Sequence, residues 1–198
     1  MNYSIRKNSD FSDLNRIYHP GGFFARRTVP GLQSLISYMK WANHQIIGFS
    51  VPLILSGSLP LSIASAVFSV APDAIEGSRD KKLLKHRGLS HNPFVWLAIC
   101  AAGLLLIHIL KPHIMSNTYL NSVNFYKTVL WADLSLAVGV SLHLLADSLT
   151  ITGIPLLGSR RAALKLFHTG SFVEYLISYG LFAAALLLRF RGLFPARL

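Results

Sequence analysis

His86-Arg87-Gly88-Leu89-Ser90-His91 is a short polar stretch that runs directly into a long apolar one. Two imidazoles with roughly three to five residues between them have a spacing that zinc sites use. A basic loop ahead of a membrane helix accounts for Lys81, Lys82, Lys85 and Arg87, but not for two His and a Gly in this order. Three further ionisable groups lie at the same kind of boundary: His44, the pair Asp73/Glu76, and the pair His143/Asp147. Positions i and i+4 share a helix face, so His143 and Asp147 can address one ion or hydrogen-bond to each other. Asp73, just after Pro72, can act as a helix cap or as a ligand. Together the clusters bring at least three imidazoles and two or three carboxylates to one membrane face. Such a set desolvates and repels poorly without a cation, and a Zn2+ or Mn2+ ion would resolve that and activate water.

The elements that must position these groups are membrane helices. Hydrophobic residues make up 52% of the chain and charged residues 14%, against about 25% charged in an ordinary soluble domain. No alternating strand pattern and no internal repeat is visible. The fold class expected is therefore all-α, a polytopic membrane helix bundle with about four or five membrane segments, because helices satisfy their own backbone groups in lipid. Residues 1–40 read as a polar, basic extension, cytosolic or on the membrane surface, with no cleavable leader; the first apolar segment then serves as an uncleaved anchor. Residues 41–190 read as the membrane-embedded domain and 191–198 as a basic tail.

Within that domain, residues 45–71 are nearly all apolar but broken at Ser56-Gly57-Ser58-Leu59-Pro60. A helical hairpin is expected there rather than one long tilted span. Further spans are expected over 93–110, about 129–145 and 172–188, with loops at 111–127 and 149–169. The hairpin puts His44, the 72–92 loop and the 143–169 region on one side, together with most of the 19 Lys and Arg residues. By the positive-inside rule that side is cytoplasmic. The formal charge of +11 then reflects membrane lipids as partners, and no nucleic-acid partner is expected. Cys100 is the only cysteine, which excludes an intrachain disulfide. An enzyme and a non-enzymatic metal-binding or ion-handling membrane protein both remain open on these residues. A closed cup at one face favours the enzyme, and a polar column through the bundle favours ion handling.

Pro72-Asp73, His86-Arg87-Gly88-Leu89-Ser90-His91, His143-Leu144-Leu145-Ala146-Asp147-Ser148-Leu149-Thr150 and Gly153-Ile154-Pro155-Leu156-Leu157 occur in an order that resembles the bacterial inner-membrane metal-dependent hydrolase family, YdjM-like and LexA-regulated in some members. The similarity runs over roughly residues 41–180. It implies a membrane-bound hydrolase with a divalent metal held by His44, Asp73, His86, His91, His143 and Asp147. On this reading Glu76 or Glu174 serves as general base, and Arg87 stabilises a developing anion or binds phosphate. The substrate implied at a bilayer edge is a small or lipid-linked one, such as a phosphoester. The chain departs from the family pattern at Ile75, where a second Asp is usual, at Asn92 in place of Ser, and at Ile151 in place of Pro.

Overall fold

The computed structural model describes residues 30–77, 87–116, 122–157 and 160–191, with only the backbone described for 30–40, 116 and 122. The chain forms two units, residues 1–37 and 38–198. Of the first, only the helical backbone from residue 30 is described, so the expected N-terminal extension falls almost wholly outside the described residues. Everything that follows concerns the second.

Six helices make up the described fold: α1 (Pro30–Ser56), α2 (Leu59–Phe68), α3 (Ala71–Glu76), α4 (Pro93–Ser116), α5 (Ser122–Leu149) and α6 (Phe172–Phe190). The bundle is all-α, as the composition dictates. Among the described residues, four stretches are long and apolar enough to cross a membrane: Leu59–Glu76, Pro93–Met115, Val123–Leu149 and Phe172–Phe190. Large apolar side chains such as Leu97, Leu105, Leu106 and Ile109 on α4 and Leu176, Leu187 and Phe190 on α6 are exposed on the bundle surface. In a membrane that surface is matched by lipid rather than water.

α1 and α2 form the hairpin. Gly57 takes a left-handed conformation (φ 68°), where a residue without Cβ is favoured, and Ser58 caps α2 by accepting a hydrogen bond from the Leu61 amide. The two arms meet through small residues. A Cβ on Gly48 would lie 2.8 Å from Ser69 Cβ, and one on Gly139 of α5 would run into the Ser65 carbonyl oxygen. α2 therefore touches α1 and α5 at glycines, the close approach that membrane helices use in the absence of a hydrophobic drive. Its buried Ser62 and Ser69 hydroxyls donate to carbonyls of their own helix, at 2.7 Å each, and need no water.

Two expectations are corrected at the level of elements. α4 and α5 run beyond their apolar stretches, to Ser116 and from Ser122, so little of 111–127 is loop. The segment after α5 carries a two-residue antiparallel pair, β1 (Ile154–Pro155) with β2 (Arg161–Ala162), and a bridge from Thr150 to Phe167. Gly153 (φ 61°) makes the turn into β1, where a Cβ would strike the Ala162 carbonyl. Trp96, Val140, Leu144 and Ile154 pack into a small apolar cluster, on which this loop rests.

Candidate metal centre

α3 is one turn and a half long. Pro72 in its first turn pre-sets the backbone, and Gly77 (φ 85°) ends it. Asp73 and Glu76, at i and i+3, therefore share a face. Asp73 does not cap the helix: the cap position is Val70, with no side-chain hydrogen bond. Opposite α3, Leu89–His91 forms a single 3-10 turn, pinned by a 2.6 Å hydrogen bond from the Trp96 indole N–H to the Ser90 carbonyl. His91 thus lies between the two carboxylates. Its Nε2 is 3.3 Å from Asp73 Oδ1 and its Nδ1 is 2.8 Å from Glu76 Oε1.

The end of α5 completes the cup. Asp147 Oδ2 lies 3.2 Å from His91 Nε2 and 3.7 Å from His143 Nε2. The two Nε2 atoms of His91 and His143 are 3.1 Å apart, and His143 Nε2 is 3.9 Å from Asp73 Oδ1. Donors about 2.1 Å from a common ion stand roughly 3.0–3.5 Å apart at octahedral or tetrahedral angles. Three of the spacings among His91, His143, Asp73 and Asp147 fall in that range, at 3.1, 3.2 and 3.3 Å, and two lie just above it, at 3.7 and 3.9 Å. His44, from α1, stacks on His143 with ring centroids 4.0 Å apart and sets its Nε2 3.8 Å from Asp147 Oδ1. His44, Asp73 and His143 also form a triad able to hold an ion.

The donor set fits a divalent cation on one further observation. His91 already carries a positive charge at neutral pH. Burial pushes its imidazole down, but hydrogen bonds to Asp147 and Asp73 outweigh that and raise it to about 9. A proton bound that firmly reports a local field that favours a cation.

The structure brings His44, Asp73, His91, His143 and Asp147 together. His86 lies outside the described residues. Glu76 stands behind His91 rather than in the cup, and accepts hydrogen bonds from the Arg87 amide (2.7 Å) and the Ser90 hydroxyl (2.6 Å). Arg87 is buried. Its Nη2 donates to Asp147 Oδ1 at 2.6 Å and Thr169 at 3.0 Å, its Nη1 to Thr150 at 3.1 Å, and its Nε has no partner among the described residues. Glu174 sits apart, accepting from Asn43 Nδ2 (3.0 Å) and the Gly170 amide (2.6 Å). It ties the start of α6 to the α1 residue next to His44. Ser90, Thr150, Thr169 and Asn43 are polar partners that sequence reasoning did not single out. Ser90 and Thr150 lie inside the quoted motifs and were open to such a reading, whereas nothing in the sequence marks Thr169.

A model of the YdjM inner membrane protein family matches residues 39–190 of the chain. No curated protein and no solved structure matches it. The matched region contains all six helices' described side chains and every cup residue.

Proposed function

We propose that this chain, which belongs to the YdjM inner membrane protein family, is a membrane-bound hydrolase that works with a divalent metal ion at the cytoplasmic face. The observation that carries the reading is the convergence of three imidazoles and two carboxylates at one end of the bundle, with His91, His143, Asp73 and Asp147 at coordination-shell spacing. Three imidazoles with two carboxylates suit a borderline ion, Zn2+ or Mn2+. A bound ion would polarise the scissile bond and lower the pKa of water.

The chain's own residues supply the rest. Glu76, anchored by Ser90 and the Arg87 amide, fixes the orientation of the His91 ring through Nδ1, as carboxylates behind metal-binding His commonly do. Asp73 is the most exposed of the cup residues, 17% against 5% or less for the other four, so substrate approaches from its side and it is positioned to take a proton from water there. Glu174 holds α1 in place beside His44 through Asn43. The clustered basic residues support a cytoplasmic location for this end of the bundle by the positive-inside rule, and the bilayer edge suits a phosphoester or lipid-linked substrate. An ion path is the competing reading. It needs ionisable groups along the bundle, but Asp133, roughly 21 Å down α5 from Asp147, lies against Gly103 of α4 instead of continuing the cup.

The test is turnover of bis(4-nitrophenyl) phosphate, a phosphomonoester and a carboxylic ester by detergent-purified protein supplied with Zn2+ or Mn2+. Metal-dependent turnover of one probe, lost in a folded His91→Ala variant, supports the hydrolase. No turnover of any probe, or equal turnover in His91→Ala, refutes it.

A further inference from the structure

Asp147 offers its two oxygens to different partners. Oδ1 accepts a short, charge-assisted hydrogen bond from Arg87 Nη2 at 2.6 Å, while Oδ2 faces His91 and His143. Arg87 is itself held. Two further N–H groups reach Thr150 at 3.1 Å, just past the end of α5, and Thr169 at 3.0 Å, ahead of α6. Thr150 is fixed in turn, donating to the Asp147 carbonyl at 2.7 Å and accepting from the Gly153 amide at 3.3 Å. The backbone of Arg87 adopts φ 51°, the left-handed region that side chains disfavour, and Gly88 follows it. Such a conformation persists where surroundings over-determine it, and it clusters at ligand clamps. Here it turns a buried guanidinium toward the rear of Asp147.

We propose that Arg87, tethered by Thr150 and Thr169, is a positioning residue that keeps Asp147 a one-oxygen ligand and so sets the coordination number of the metal ion. A carboxylate free of the clamp can swing to chelate through both oxygens, the mode that larger, many-ligand ions accept. With Oδ1 occupied, the cup favours a small ion with few ligands, such as Zn2+. This inference rests on the metal-site reading and gives Arg87, Thr150 and Thr169 roles in ion selection. It gives Arg87 a role beside the expected meeting with an anion, three of its five N–H donors being committed within the protein.

The probes are Co2+, whose visible absorption reports coordination number, and Zn2+ in a competition titration, both on detergent-purified full-length protein. In Arg87→Gln the intense low-coordination cobalt band is expected to weaken and the zinc Kd to rise by about tenfold or more. Thr169→Val, which keeps the guanidinium but removes one tether, is expected to move both readouts the same way by a smaller amount. A merely structural role would lower thermal stability and leave the cobalt spectrum unchanged. An unchanged spectrum and Kd in folded Arg87→Gln overturns the proposal. Where that variant does not fold, an unchanged spectrum and Kd in Thr169→Val overturns it. Wild-type protein that binds neither ion refutes the metal site itself, and the clamp with it.

Discussion

Glu174 and Asp147 are both buried carboxylates at the same end of the bundle, yet they are satisfied differently. Glu174 accepts from an amide side chain and a backbone N–H, one for each oxygen. That cluster is closed: its donors are neutral, and a carboxylate with two good donors is a structural clasp. Asp147 takes one fixed donor, Arg87, and turns its other oxygen toward two imidazole nitrogens that also face each other and Asp73. A single Nε2–H on either ring can serve only part of that set, whereas a cation at its centre can meet both nitrogens and both carboxylates. The comparison teaches that burial and charge alone do not mark a chemical site. What marks it is the crowding of imidazole nitrogens and carboxylate oxygens within reach of one another.

Substitutions that treat the two regions alike should therefore give unlike results. Asp147→Ala is expected to have the largest effect. It strands the Arg87 guanidinium in a buried position, a loss of about 3–5 kcal/mol, visible as a large drop in thermal midpoint, together with loss of bound metal. Glu76→Gln is expected to preserve the fold but weaken metal affinity about 10- to 100-fold, measured by competition titration, because the His91 ring loses its anchoring charge. Glu174→Gln is expected to cost about 1–3 kcal/mol of stability while leaving metal affinity within about twofold. A matching loss of affinity in Glu174→Gln would erase the distinction between clasp and cup.

The cup alone is expected to show a pH dependence. His91 holds its proton up to about 9, and an ion can bind its Nε2 only once that proton leaves. Raising the pH toward 9 therefore strengthens binding, and below 9 each unit of acidification should weaken it about tenfold. Isothermal titration at several pH values checks the slope. A flat profile between pH 6.5 and 8.5 would remove His91 from the ligand set.

Much of this arrangement is legible in the sequence, and the remainder is hidden for physical reasons. The apolar blocks reveal the spans, and Gly57 and Pro60 reveal the hairpin. The helix ends are not legible in the same way, because apolarity reports lipid contact and not helicity. Asn124 and Lys127 sit comfortably in α5 beyond its apolar part. The cup residues are legible because His and Asp are scarce in an apolar chain and costly to bury. The roles behind the cup are not. Glu76 and Asp73 differ only in which nitrogen of His91 they meet, a matter of one helical turn. Arg87 finds Asp147, Thr150 and Thr169 at separations of 60 to 82 residues, which no local pattern encodes.

The central claim is that the buried His and Asp cup holds a metal ion. Elemental analysis of protein purified in detergent without added chelator, wild type beside His143→Ala and Glu174→Gln, tests it most directly. The account predicts about one divalent ion per chain in wild type and in Glu174→Gln, and a drop of at least about tenfold in His143→Ala. Equal metal content in all three, or none in wild type after reloading with Zn2+ and Mn2+, would contradict it.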